Sequence, residues 1–279
     1  MKIEGWTYYN HAAIPTVYPH EMPDLAPIES GDIWKLGKEE NKKTYFARWT
    51  ENWDIGHETN FWACILDKEF DIDKIKAKRR YEITKGNRYF YTARVTRDKL
   101  PEMYDVYVES LKGYEKKQVP EEKESFVSGW EKSIDDPITL VLGAFDRETD
   151  RLCGFAFCLK HGKYIPISSF KTRVSEEKRN VNFALMYGIC EYYREDLKRG
   201  AYLCDGWRNV LHDTEFQDWL IKYFEFRRAY CILHIKYKPW LKVIVNILYP
   251  VRKCFKGIKS VYGVLRMEEF VRADKGING

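Results

Sequence analysis

The chain has 279 residues, enough to bury roughly three quarters of its unfolded surface, which makes one large or two small domains the expectation. With 44% hydrophobic and 16% aromatic residues it is not a disordered chain, and its longest apolar run, Val243 to Val251, is far too short to span a bilayer. The net charge of +5 is unevenly placed: Phe226 to Met267 holds ten Lys and Arg and no Asp or Glu, leaving the remainder at −5. Such a stretch predicts an anionic partner, whether a phosphate-bearing cofactor, RNA or a membrane surface; a merely solvated basic face is the competing reading.

The opening "MKIEGWTYYNHAAIP" is polar and aromatic, so no secretory leader is expected. Seven cysteines lie mostly in apolar segments and none forms a CxxC pair. They read as reduced, buried thiols of a cytoplasmic protein with no metal site.

Residues 1–79 read as an irregular N-terminal extension with two strands, Thr44 to Trp49 and Phe61 to Leu66, and a short basic-ended helix in "DIDKIKAKRRY". From there to residue 279 the pattern becomes regular. Arg88 to Val95 is a strand by composition. Leu100, Met103, Tyr104, Tyr107, Leu111 and Tyr114 then mark one face of a helix, and Pro120 suits the first turn of a second. Three strands follow on tight polar connections, over 138–145, 151–159 and 164–172. A long helix carries Val181, Leu185, Ile189, Tyr192 and Tyr193, and Ala201 to Asp205 is a short buried strand. Thr214 and Gln217 make a capping box for a helix burying Phe216, Trp219, Leu220, Tyr223 and Phe224. Ala229 to Tyr237 is the next strand. Pro239 then opens a helix whose core face is Leu241, Ile244, Val245 and Leu248, with Lys242 and Asn246 outward and basic residues on both flanks.

The order β-α-α-β-β-β-α-β-α-β predicts an α/β (α+β) fold, a mixed, mostly antiparallel sheet with helices on both faces. Over about 88–238 this order resembles the GNAT (N-acetyltransferase) superfamily. The N-terminal extension and the segment Asp205, Gly206, Arg208, His212, Thr214, Phe216, Gln217, Asp218 through Arg227 and Cys231 resemble the FemAB-like branch. That branch is built from GNAT-like units and transfers aminoacyl groups in cell-wall synthesis; some members are linked to surface polysaccharide. The resemblance implies a transferase moving an acyl group from acyl-CoA (acetyl-CoA), or a related activated donor, to an amine acceptor such as an amino sugar.

It also implies where the groups lie. The strand 164–172 would border the donor, placing Ser168, Ser169 and Lys171 beside it, and the connection to the next helix would seat a diphosphate with Arg173 and Arg179. That connection, "TRVSEEKRNVNFA", contains no glycine, and Glu176 and Glu177 would repel a diphosphate. His212 is a candidate base because an imidazole titrates near neutrality. Asp205, closing a strand, would orient it or bind substrate, and Arg208 would bind substrate. The competing reading makes Asp205-Gly206 a turn and His212-Asp213-Thr214 a capping segment. A second class of function is a non-catalytic module docking an anionic membrane or RNA through 226–267, peripheral to a membrane. The amides of 173–180 separate the two: an enzyme leaves them open, whereas a binding module fills them with side chains.

Overall fold

A computed structural model of the chain describes residues 2–113, 118–211 and 215–275. The chain divides into two compact units interleaved in sequence. Unit one takes Met1–Cys64, Trp207–Glu215 and Arg228–Gly279, and unit two takes Ile65–Gly206 and Phe216–Arg227.

Unit one begins with a hairpin that the sequence reading did not place. β1 (Trp6–Tyr9) and β2 (Ala12–Pro15) pair antiparallel across Asn10 and His11, both at positive φ. A two-residue hairpin turn of the primed type requires that backbone at both central positions, and Asn adopts it readily. After α1 (Ala26–Glu29) come β3 (Phe46–Glu51) and β4 (Phe61–Leu66), where strands were expected. Trp6, Ala13, Ile28, Ile33, Leu36 and Ala47 form a buried cluster, so this stretch has a small core of its own.

Unit two starts with α2 (Ala77–Tyr89) and β5 (Phe90–Arg94). α2 runs further than expected and takes in Arg88 and Tyr89. It packs on the helix that begins near Asn180: a Cβ on Gly86 would stand 2.5 Å from the Asn180 carbonyl, so only glycine allows the approach. α3 (Leu100–Ser110) and α4 (Lys123–Glu131) follow, and α4 begins three residues beyond Pro120. The expected meander is present. β6 (Thr139–Asp146), β7 (Leu152–Leu159) and β8 (Tyr164–Thr172) pair antiparallel in succession. α5 (Val181–Tyr192) and α6 (Arg194–Lys198) lead to β9 (Tyr202–Trp207), which runs parallel to β8 as expected, and α7 (Glu215–Phe224) closes the unit.

The unit-two sheet has the order β9-β8-β7-β6-β5. Every residue of β6 is buried, so both sheet faces are covered. Leu100, Met103, Val106 and Phe126 of α3 and α4 pack on Val141, Phe145, Leu152 and Phe155. α5 is apolar nearly all round, as a helix enclosed by the fold must be. This is the mixed, mostly antiparallel arrangement that the resemblance implied.

The chain then returns to unit one through β10 (Arg227–Tyr237), antiparallel to β3 from Ile232↔Glu51 to Tyr237↔Phe46, and continues into α8 (Pro239–Leu248) and α9 (Lys259–Lys275). Here one expectation is corrected. Val245 is buried and Leu241 and Leu248 partly so, but Ile244 is exposed. The core position meant for it is filled by α9, whose Leu265, Met267, Phe270 and Val271 join Phe46, Leu233 and Val245 in one cluster.

Candidate active site

β8 and β9 share only three paired positions, Tyr164↔Tyr202, Ile165↔Leu203 and Pro166↔Cys204. β8 then continues to Thr172 on β7, and among the described residues no strand pairs with its other edge beyond Pro166. On β7, Cys158 faces Ile167 but Phe157 faces Ser169, so Ser168 is an extra residue, a bulge in the strand. Bulges bend a strand and re-aim its side chains. Ser168 is exposed, whereas Ser169 and Lys171 are partly buried. The parting of the strands leaves backbone amides of β8 on an open edge, which suits them to meet a carbonyl oxygen.

Asp205 lies toward the end of β9, where Gly206 (φ 95°) turns the backbone. Burial pushes the Asp205 carboxyl up to about 7, against the opposing effect of a hydrogen bond from the Gln217 side chain on α7. A carboxyl titrating there accepts or donates a proton at neutral pH. Phe216 and Trp219 of the same helix stack together and reach Phe170 of β8, at ring distances of 5.2 and 6.4 Å. α7 thus supplies both the polar partner of Asp205 and an aromatic wall beside the parted strand. His212, and the Thr214 half of the expected capping box, lie outside the described residues.

The connection from β8 to α5 holds its own carboxylates. Arg173, buried, donates Nε–H to the Leu152 carbonyl at 3.0 Å and Nη1–H to Glu109 at 2.9 Å. Glu109 also accepts the Ser175 backbone N–H at 3.0 Å and its hydroxyl at 2.7 Å. Arg179 bridges Asp146 at 2.7 Å and Glu176 at 2.9 Å, with its guanidinium over the Tyr89 and Phe90 rings. Asn180, in the left-handed region (φ 63°), donates through Nδ2 to the carbonyl and carboxylate of Glu82. Val181 is buried. Arg173 and Arg179 are therefore spent on internal acids, and the Ser175 amide is already bonded to Glu109, the filled arrangement expected of a binding module and not of an enzyme that seats a diphosphate there. Sequence reasoning did not single out Glu109; its only signal was a polar position on the helix of Met103 and Tyr107, and its partners lie over sixty residues away.

Unit one carries a polar cleft of about 410 Å³, lined by Arg208, Arg228 and Arg266 with one acid, Glu58, and with Tyr230 and Tyr262. Arg208 donates its backbone N–H to Trp62 O at 2.8 Å and Nη1–H to Asn60 O at 2.7 Å, which fixes its stem. Asn60 is in turn held by the buried Asp274, through its backbone N–H at 2.9 Å and its Nδ2 at 2.8 Å. The Arg208 and Arg266 guanidiniums both lie over Phe270, at 4.6 and 5.1 Å, and Arg228 lies over Trp62 at 4.8 Å. Burial, then the neighbouring charges of Arg266 and Arg228, lower the Arg208 pKa. Cations that raise one another's energy in a partly desolvated cleft are stabilised by an anion placed among them. Among the described residues no group of three or more His, Cys, Asp or Glu could hold a metal.

No protein-family model matches the chain, and no curated protein does at the level of sequence. Solved structures do. FemX is similar over 87% of this chain and 85% of its own, at 11% identity and a TM-score of 0.54. The C-terminal domain (DUF2156) of a protein assigned as a lysylphosphatidylglycerol synthetase in Agrobacterium fabrum is similar over 87% and 82%, at 11% identity and a TM-score of 0.50. At such identities the likeness is one of fold.

Proposed function

We propose that this chain, which has a GNAT-superfamily, FemAB-like fold, transfers an acyl or aminoacyl group to an amine. The observation that carries the reading is the parting of β8 and β9 beside Asp205, a carboxyl poised to titrate at about 7. The acceptor nitrogen forms a bond to the acyl carbon, and Asp205 takes the proton it sheds. The open amides of β8 near Ser168 and Ser169 hold the carbonyl oxygen as it becomes negative. The bond from the acyl carbon to the leaving oxygen or sulfur then breaks, and the leaving group takes the proton that Asp205 had accepted, which restores the carboxylate. His212 remains a proposed second proton carrier, and Lys171 a proposed donor-side cation.

The proposed donor takes its support from the connection ahead of α5. A diphosphate seated there would have to displace Glu109 from Ser175 and compete with Asp146 and Glu176 for Arg179. That supports an activated donor not anchored by a diphosphate at this place, namely an aminoacyl ester carried on RNA, over acetyl-CoA. The acceptor is an amine, an amino sugar in the reading by resemblance. Arg208 keeps its expected role as a proposed anion-binding residue, within unit one alone and with Arg228 and Arg266 beside it.

The test compares CoA, acetyl-CoA and a mixed aminoacyl-tRNA pool as ligands in thermal melts and as donors of labelled acyl groups to amines. A true ligand at a hundred times its Kd adds about 2.7 kcal/mol. Stabilisation and transfer with acetyl-CoA would overturn the donor assignment. Absence of transfer from every donor, or full transfer by Asp205→Asn, would overturn the catalytic one.

A further inference from the structure

α8 presents three different faces. Leu241, Val245 and Leu248 pack into the unit-one core. Lys242 pairs with Glu268 at 3.1 Å, and Asn246 accepts a hydrogen bond from Arg272 at 2.7 Å, tying a second face to α9. The third face is Trp240, Val243, Ile244 and Ile247, exposed by 49, 58, 42 and 66%. These fall at steps of three and four, one continuous stripe. Val251 and Ile258, on the way to α9, are about half exposed as well. Scattered apolar residues on a surface mean little, but a contiguous stripe marks an interaction face. Two anchored faces hold this one in a fixed orientation.

The charge around the stripe identifies its occupant. Lys253, Lys256 and Lys259 follow α8 within eleven residues, all exposed, and among the described residues none is paired with an acid. Arg252 and Arg266, by contrast, each pair with Glu269. Protein interfaces are depleted in Lys, and RNA is bound by aromatic platforms and cations and not by Val and Ile. Apolar residues inserted at the acyl boundary, with lysines at the level of the headgroups and Trp240 at the start of the helix, match an anionic lipid surface. Among the described residues no helix is long and apolar enough to cross a membrane, so α8 would lie on the surface.

We propose that α8 and the lysines after it dock this protein on an anionic bilayer. The proposal is independent of the transfer chemistry, since it uses none of its residues.

The experiment is flotation of the whole chain with phosphatidylcholine vesicles, with and without 30% phosphatidylglycerol (a composition of roughly bacterial charge density), at low and high salt. Binding is expected only with the anionic lipid and to weaken with salt. The triple variant Lys253→Gln/Lys256→Gln/Lys259→Gln is expected to weaken partitioning on the order of a hundredfold, about fivefold per lysine. Ile247→Glu, at a side chain in solvent, is expected to abolish it with an unchanged melting temperature. Binding that survives Ile247→Glu, or that is as strong on neutral vesicles, would overturn the proposal. So would a dimer in light scattering that Ile247→Glu converts to monomer, or RNA binding that displaces the vesicles and ignores Ile247→Glu.

Discussion

One oxygen of Glu109 accepts both the backbone N–H and the hydroxyl of Ser175, sixty-six residues further along, while the other accepts Arg173. α3 is thereby pinned to the connection before α5, and the pin is electrostatic. Burial pushes the Glu109 carboxyl up, but the hydrogen bonds from Ser175 and Arg173 outweigh it and hold the group at about 2. A depressed folded pKa means stability that is fully present above the ordinary value of 4.5 and is lost as pH falls toward 2. Glu109→Ala leaves Arg173 buried without its carboxylate, and breaking such a pair costs about 3 kcal/mol. Denaturant unfolding at pH 7 and pH 3 checks this: the difference between wild type and variant should shrink at the lower pH.

Asp205 has the opposite sign. Its folded pKa is raised, so its burial is tolerated below the unfolded value of 3.8 and opposes folding as pH rises through about 7. Asp205→Asn should therefore melt higher than wild type at pH 8 and equally at pH 4. The same variant should lose transfer by a factor on the order of 10² to 10⁴, the usual contribution of a positioned base. The wild-type rate should rise with pH through about 7. A variant that is less stable at pH 8 would mean that the carboxylate is held by contacts that favour its charge.

The arginine cleft predicts a gain without ligand and a loss with it. Arg266→Ala removes a like charge beside Arg208, so melting in chloride buffer should hold or rise, offset by loss of the ion pair with Glu269 and of the contact with the Phe270 ring. Inorganic phosphate and pyrophosphate should stabilise wild type in a concentration-dependent way and stabilise Arg266→Ala at least tenfold more weakly. Equal stabilisation of both proteins would remove the cleft as an anion site.

The sequence exposed those parts of the molecule whose order is local. The meander β6-β7-β8 rests on tight turns and alternation, and the β8-α5-β9 crossover rests on one long apolar helix; both were legible. The β1–β2 hairpin was missed because its turn, Asn10-His11, lacks the glycine that usually marks such a turn, although Asn tolerates the left-handed backbone. α8 was read as buried because its apolar run is nearly unbroken. What the sequence did not reveal is that α9 would occupy the core from the other side and leave Ile244 in solvent. The interleaving of the two units also leaves no mark, since no Gly-, Pro- or Ser-rich linker accompanies any of the four crossings, near 64, 206, 215 and 227. Of the candidate residues, Asp205 in unit two and Arg208 in unit one were singled out by type and position. The groups that set their chemistry, Gln217 for one and Arg228 and Arg266 for the other, come together only through the fold.

Two helical glycines should respond oppositely to the same substitution. Gly129 on α4 is exposed, and a Cβ there would meet nothing within 4 Å. Gly129→Ala removes backbone freedom from the unfolded chain and should stabilise by about 0.5–1 kcal/mol. Gly188 lies inside α5, and a Cβ there would stand 2.5 Å from Thr92 Oγ1, 2.6 Å from its Cγ2 and 2.8 Å from its Cβ. Rotating the threonine relieves the first two contacts but not the third, so helix and β5 must move apart. Overpacking of this kind costs about 1–3 kcal/mol, more than alanine's helix propensity returns. Gly188→Ala should therefore lower stability in urea unfolding, and Thr92→Ala in the same chain should restore part of the loss. A non-additive double-mutant cycle is expected from residues in direct contact. A stabilised Gly188→Ala would mean that α5 sits further from β5 than these distances place it.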